Sequence, residues 1–390
     1  PEWETKFETN SYGFRPGRSC MDAIEQIRRN LNRKNSSTWI LDADISGCFD
    51  NIAHDPLLDN LPVFRQIIER WLKAGVLELN HYKDTDTGTP QGGTLSPLLA
   101  NIALNGLERL FGAETDTGQY LSPSARQELN KGITLIRYAD DFVVIAPTHE
   151  IIEEYVLPQL QEFLARWGLT LNTTKTRIVR REEGFNFLGY TIRWFTPAQK
   201  LLIVPQKENI HQLLRQIKDI LRTQRQAKLE TVIKRLNPPL RGWCNYYRHC
   251  HAKVTFNYIS YRLWQMLWQW AKRRHPKKSK RWIKQRYFYE KGNKRWIFGT
   301  PECSLFNPQD MPTRRYIKVK GKNSPYDPTL REYWDKRHKP LIALQLPSKR
   351  RQQILAQQDY RCAHCGLLFQ PDSEIHYHHR IPRSQGGTDT

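Results

Sequence analysis

The sequence predicts an α+β chain, with an antiparallel sheet in residues 1–204 and helices after it. Two apolar runs, Ile133 to Ile136 and Phe142 to Ala146, flank Tyr138-Ala139-Asp140-Asp141. That pattern reads as strand, tight turn, strand. A second strand-like run, Trp39 to Asp50, interleaves apolar and acidic residues. After Pro205 the spacing changes to the helical one, with Ile210, Leu213, Leu214, Ile217, Ile220 and Leu221 on one face.

In the Trp39 to Asp50 run, side chains alternate faces, so Asp42 and Asp44 share one. Gly88 to Asn101 reads as a Gly/Pro-rich loop entering an apolar helix near Ser96, with Ser96 as N-cap and Pro97 as first helical residue. Gly92 and Gly93 let backbone approach a ligand closely. Asp140 and Asp141 place two carboxylates at a hairpin tip. Such a pair suits Mg²⁺, a hard cation held by one or two carboxylates plus substrate phosphates. The competing reading is a solvated Asp-Asp turn. Lys175 follows a strand-like run at 168–172 and is a candidate to neutralise a phosphate; Phe185 to Tyr190 reads as another short strand.

Net charge is +22, unevenly placed: −4 over residues 1–204, +19 over 205–305 and +7 over 306–390. A bias this local points to polyanion binding by a dedicated region. No apolar run is long enough for a membrane span. The acidic N-terminus, Pro1-Glu2-Trp3-Glu4, is not a signal peptide, and the absent initiator Met hints at a fragment. Seven cysteines show no disulfide framework, so a reduced cytosolic setting is expected.

A second helix is expected around Leu229, Ile233 and Leu236, and a third over 258–271 with Trp264 and Trp268 in its packed stripe. Residues 271–296 hold twelve Lys/Arg against Glu290 alone, interleaved with Trp282, Tyr287, Phe288, Tyr289 and Trp296. Basic side chains neutralise phosphates and aromatics stack on unpaired bases. Candidate phosphate contacts are Arg241, Lys272, Arg273, Arg274, Lys277, Lys278, Lys280 and Arg281. Near the end, Cys362 and Cys365 form a C-x-x-C pair, with His378-His379 thirteen residues on. Zinc takes four ligands, and only two are evident here.

The ordered set of Asp44, Pro90-Gln91-Gly92, Tyr138 to Asp141, Lys175 and Phe187 to Tyr190 resembles the palm of reverse transcriptases. Ser11 to Ser19, Phe49-Asp50-Asn51-Ile52 and Phe187-Leu188-Gly189-Tyr190 narrow the resemblance to group II intron-encoded proteins, and Asn237 to Arg248 resembles the start of their maturase region. It covers nearly the whole chain. It implies right-hand fingers and palm over 1–204, a thumb over 205–236 and maturase domain X over 237–305. A DNA-binding region over 306–358 and a partial, zinc-knuckle-like HNH endonuclease domain over 359–390 would follow. The implied activity is RNA-directed DNA synthesis from dNTPs, with intron splicing; the alternative is a non-catalytic RNA-binding splicing cofactor. Implied partners are group II intron RNA and target DNA, in a bacterial cytoplasmic ribonucleoprotein, with no membrane.

By the same resemblance Asp44, Asp140 and Asp141 would be catalytic Mg²⁺ ligands. Gln91 and Gly92 would lie by the nascent base pair, Phe49 or Cys48 under the sugar, and Lys175 by the departing pyrophosphate. Cys362 and Cys365 are candidate Zn²⁺ ligands, His378 a nuclease-metal ligand and His379 a nuclease base. A complete nuclease site is not expected. Eleven residues precede Tyr12, so finger segments that the family carries before this motif are expected to be missing.

Overall fold

The computed structural model describes residues 2–33, 38–61, 63–78, 81–83, 85–90, 93–112, 132–345 and 349–364, with Gly366, Phe369 and Ile375. Strands run in the order β1 (Trp39–Ala43), β2 (Val76–Glu78), β3 (His81–Lys83), β4 (Thr134–Tyr138), β5 (Asp141–Ala146) and β6 (Arg177–Arg180). They continue with β7 (Phe185–Phe187), β8 (Tyr190–Phe195), β9 (Lys200–Pro205), β10 (Phe288–Lys291) and β11 (Lys294–Phe298). By packing, the chain divides into Lys6–Val319 and a second unit of Lys320–Thr390 with Pro1–Thr5.

The first unit is built on an antiparallel sheet of order β4-β5-β1-β6. β5 lies inside it, so its residues after Asp141 are all buried, which explains the unbroken Phe142 to Ala146 run. Helix Cys20–Leu31 packs Ile24, Ile27 and Leu31 into the same core as Ile40, Ile136, Val143 and Ile145. Ser19 and Asp22 form a capping box at its start.

A second sheet, β7-β8-β9, is an antiparallel meander. The single strand expected over 185–190 is instead broken by a tight turn. Leu188 (φ 48°) and Gly189 (φ 78°) are both left-handed, and β8 starts at Tyr190. The helix expected near Ser96 spans Ser96–Ala103, but Leu95 is its N-cap. Ser96 Oγ donates instead to the Pro90 carbonyl at 2.7 Å, tying down the loop before it.

The helical periodicity after Pro205 is realised in Lys207–Thr223, Leu229–Tyr247 and Lys253–Arg274. They share one apolar core with helix Lys280–Tyr287 and the β10–β11 hairpin. Helix Leu229–Tyr247 runs uninterrupted past Leu236 and Asn237, with Pro238 and Pro239 inside it. In the second unit, helices Arg331–Gln345 and Lys349–Gln357 bury Ile342 and Leu355. No described helix is long and apolar enough to cross a membrane.

Candidate active site

The β4–β5 hairpin pairs Tyr138 with Asp141 across a turn of Ala139 and Asp140. Ala139 has φ 59°, an uncommon conformation for a residue with a Cβ. Two contacts hold it there. Arg137 Nη1 donates to the Ala139 carbonyl at 3.0 Å. That guanidinium is itself anchored, Nη1 donating to Asn101 Oδ1 at 3.0 Å and Nη2 to Ser11 Oγ at 2.7 Å. Gly13 supplies the second: a Cβ there would lie 2.2 Å from the Ala139 nitrogen, so only glycine lets this segment press on the turn. Asn101 Nδ2 donates to the Gly13 carbonyl at 2.9 Å. Ser11, Asn101 and Arg137, from three separate sequence motifs, thus close on the aspartate turn.

Arg137 is 1 % exposed, and burial draws its guanidinium down to about 10, against the pull of Glu8 and Glu108. The sequence carried a signal for it: an arginine interrupting a run otherwise apolar from Ile133 to Ile136 and ending at Tyr138.

Asp42, Asp44 and Asp141 line one open cleft of about 440 Å³, with Lys175, Arg177 and the turn residues Asn186, Phe187 and Leu188. β1 meets β5 with Ala43 opposite Phe142, which brings Asp44 beside the hairpin tip. Desolvation in the cleft, with Asp140, Asp44 and Asp42 around it, pushes the Asp141 carboxyl up to about 6; Lys175 opposes this. Asp140 also acts on the Cys48 thiol and on Lys175. Lys175 Nζ lies 2.9 Å from Asp44 Oδ2, and that partner raises its ammonium pKa. Arg177 Nη2 lies 3.1 Å from Asp42 Oδ2. Burial raises the Asp42 carboxyl pKa, while Arg177 opposes it. Asn172 Nδ2 also donates to Asp44 Oδ2, at 3.3 Å.

This donor set is hard oxygen with more negative than positive charge at the hairpin tip. It fits a divalent cation of the Mg²⁺ kind, which takes few protein ligands and completes its shell with water and phosphate. Among the described residues no three His, Cys, Asp or Glu side chains form a ready cage.

The Gly88–Pro90 stretch leans on the start of the short helix Cys48–Asn51. Thr89 N donates to the Phe49 carbonyl at 2.6 Å, and a Cβ on Gly88 (φ 83°) would lie 2.6 Å from the Asp50 carbonyl. Phe49 is half-buried, its ring edge-on to Phe14 at 6.2 Å. Cys48 is 3 % exposed, and burial pushes its thiol up to about 12. Gln91 and Gly92 lie outside the described residues, as do Cys365, His378 and His379; Cys362 is half-buried.

Of the basic residues singled out, Arg241, Lys272, Arg273, Lys277, Lys278, Lys280 and Arg281 are exposed. Arg274 is turned inward instead, donating to the Ala227 and Gln226 carbonyls and lying over Trp270. Tyr287 and Phe288 are core residues, whereas Trp296 is 45 % exposed with Lys284 above its ring. Lys278 sits over Trp282.

Residues 2–192 match the family described as "Reverse transcriptase (RNA-dependent DNA polymerase)", and residues 210–288 match "Group II intron, maturase-specific domain". The chain is 28% identical over 340 residues to the group II intron-encoded protein LtrA of Lactococcus lactis subsp. cremoris, covering 66% of this chain and 56% of that protein. It is 30% identical over 222 residues to protein YkfC of Escherichia coli K12, covering 49% and 57%. An uncharacterized 91 kDa protein in a cob intron of Schizosaccharomyces pombe is 28% identical over 322 residues, covering 65% and 40%. The chain spans about half the length of the curated relatives it matches.

Proposed function

Since the chain belongs to the group II intron-encoded reverse transcriptase and maturase proteins, we propose that it copies RNA into DNA and assists splicing of its intron. The observation that supports the first activity most is the cleft that Asp44 and Asp141 both line; Asp140 is not in that lining but is close enough to bear on Asp141 and Lys175. Reverse transcriptase domains use Mg²⁺, and Asp44, Asp140 and Asp141 would hold it here. When bound, such ions acidify a primer 3′-hydroxyl and neutralise triphosphate charge.

The remaining work falls to side chains. Asp44 and Asp141 face the incoming phosphates, and their own repulsion is relieved by any cation that enters. Lys175 already neutralises Asp44 and is placed to donate to the pyrophosphate that departs. Phe49 rather than Cys48 is the better sugar gate, because Cys48 is sealed in the core while the Phe49 ring reaches the surface beside Phe14. Gln91 and Gly92 complete the base-pair side of this reading.

The exposed Lys272, Arg273, Lys277, Lys278, Lys280 and Arg281 would take the phosphates of intron RNA, and the exposed Arg241 would add a further contact. Residues 205–236 would be the thumb and 237–305 domain X. DNA-target contacts over 306–358, and Cys362, Cys365, His378 and His379 as half of an HNH site, belong to the same reading. Nuclease cleavage by these four alone is not expected, since a zinc knuckle needs two further ligands.

Primer extension by the wild type beside Asp140→Ala tests it, with splicing measured on both. Synthesis lost in the variant and splicing kept supports two activities. Splicing without synthesis by either protein leaves a non-catalytic cofactor, a role the +19 segment alone would support.

A further inference from the structure

The geometry points to Tyr246 and Tyr247, at the end of helix Leu229–Tyr247, as positioning residues for the primer end. They act through the Phe187–Tyr190 turn, and this inference rests on the polymerase reading above. The turn has two sides. Asn186, Phe187 and Leu188 line the cleft that also holds Asp44 and Asp141. From behind, Tyr246 Oη donates to the Leu188 carbonyl at 2.8 Å, and Tyr247 Oη donates to the Gly189 carbonyl at 3.0 Å. Asn209 Nδ2 donates to Tyr247 Oη at 2.8 Å and aims it. The tie is reciprocal, since Tyr190 Oη donates to the Tyr246 carbonyl at 2.8 Å.

The backbone needs this support. Leu188 is left-handed at φ 48°, a conformation a leucine keeps only where its surroundings impose it. Gly189 has no room for a side chain, because its Cβ would lie 2.7 Å from Asn209 Nδ2 and 3.0 Å from Tyr247 Oη. The rings make a separate contribution. Tyr246 stacks on Tyr190 at 5.4 Å, and Tyr247 meets the same Tyr190 ring edge-on at 5.0 Å. The rings therefore hold the helix to the sheet, while the two hydroxyls act on the turn together with the Gln206 N–H and Asn209 Nδ2, which donate to the Gly189 carbonyl at 3.0 and 3.4 Å; the Leu188 carbonyl takes its bond from Tyr246. A primer 3′ end entering the cleft toward Asp44 and Asp141 would meet that turn as part of the same lining. Displacement of such a wall by about 1 Å is enough to cost on the order of 10²-fold in rate. The maturase-matched helix would thus serve the polymerase cleft directly.

Tyr246→Phe, Tyr247→Phe and the double variant remove the hydroxyls and keep the rings. Two measurements on the full chain judge them. Amide exchange of a peptide covering 185–190 should rise about tenfold in the double variant, with the β4–β5 hairpin unchanged. Single-turnover extension of an annealed RNA–DNA primer-template should slow by about tenfold to 10²-fold, while the dNTP KM stays within about twofold. Unchanged exchange overturns the inference whatever the enzyme does. So does faster exchange with an unchanged extension rate, or a fall explained wholly by dNTP KM. Where the double variant fails to fold, Tyr246→Phe alone frees the Leu188 carbonyl and is judged by the same two outcomes. A wild type that extends no primer defeats the polymerase reading instead, and with it the positioning role, while the exchange measurement still decides whether the hydroxyls hold the turn.

Discussion

Arg137 Nη1 donates to the carbonyl of Ala139 at 3.0 Å, so a buried guanidinium holds the left-handed residue that immediately precedes Asp140. An unpaired buried charge is costly, and this one is offset by Ser11, Asn101 and the Ala139 carbonyl together. Removing it should therefore hurt fold and turn at once. Arg137→Met is expected to lower unfolding free energy by about 3 kcal/mol, because Ser11 and Asn101 lose a buried partner. Urea unfolding measures this, and a loss below about 0.5 kcal/mol would show the network to be dispensable.

Gly13 gives a second handle on the same turn without touching its charge. Alanine there would put Cβ 2.2 Å from the Ala139 nitrogen, so the backbone must shift. Primer extension by Gly13→Ala should fall on the order of 10²-fold. Intron RNA affinity in the same preparation should hold within about twofold, since the basic cluster lies elsewhere in the chain.

The Asp141 carboxyl, raised to about 6, makes stability depend on pH in a fixed direction. The folded chain binds this proton more tightly than the unfolded chain, whose carboxylate titrates near ~3.9. The stabilisation is full below the unfolded value and is lost as pH rises through about 6. In EDTA, urea midpoints should fall across that window, and Asp141→Asn should flatten this part of the profile. Mg²⁺ should restore stability above it. A profile identical in wild type and variant would show that Asp141 does not titrate there.

Arg274 and Lys277 stand three residues apart in the basic run, but only Lys277 faces outward. Lys277→Ala should reduce the slope of log affinity against log salt by about 0.7 for single-stranded RNA. Arg274→Ala should leave the slope unchanged and lower the melting temperature, through loss of its bonds to Gln226 and Ala227. Equal slopes for the two variants would place both, or neither, on the RNA.

Phe49→Val should raise ribonucleotide incorporation by about tenfold or more, by enlarging the space under the sugar. Cys48→Ser should leave the discrimination ratio unchanged, since that side chain is sealed from the cleft. A reversed pattern in a single-nucleotide incorporation assay would move the gate to Cys48.

The sequence by itself determined the local elements and the chemical inventory. The Asp140–Asp141 turn, the Asp42/Asp44 strand and the helices after Pro205 follow from alternation and spacing, which are properties of neighbouring residues. The position of the basic run was equally legible. Tertiary structure decided which of those residues act together. Tyr246 and Tyr247 stand in a quoted motif, yet nothing local tells that their hydroxyls reach Leu188 and Gly189, about sixty residues earlier. The break at Leu188 reads as strand because a leucine in left-handed backbone is disfavoured on local grounds; those distant bonds are among the contacts that hold it. Arg274 looked like its neighbours until helix Lys253–Arg274 turned it onto Ala227 and Gln226. Periodicity reports which face a side chain leaves from. Only long-range packing reports what that face meets.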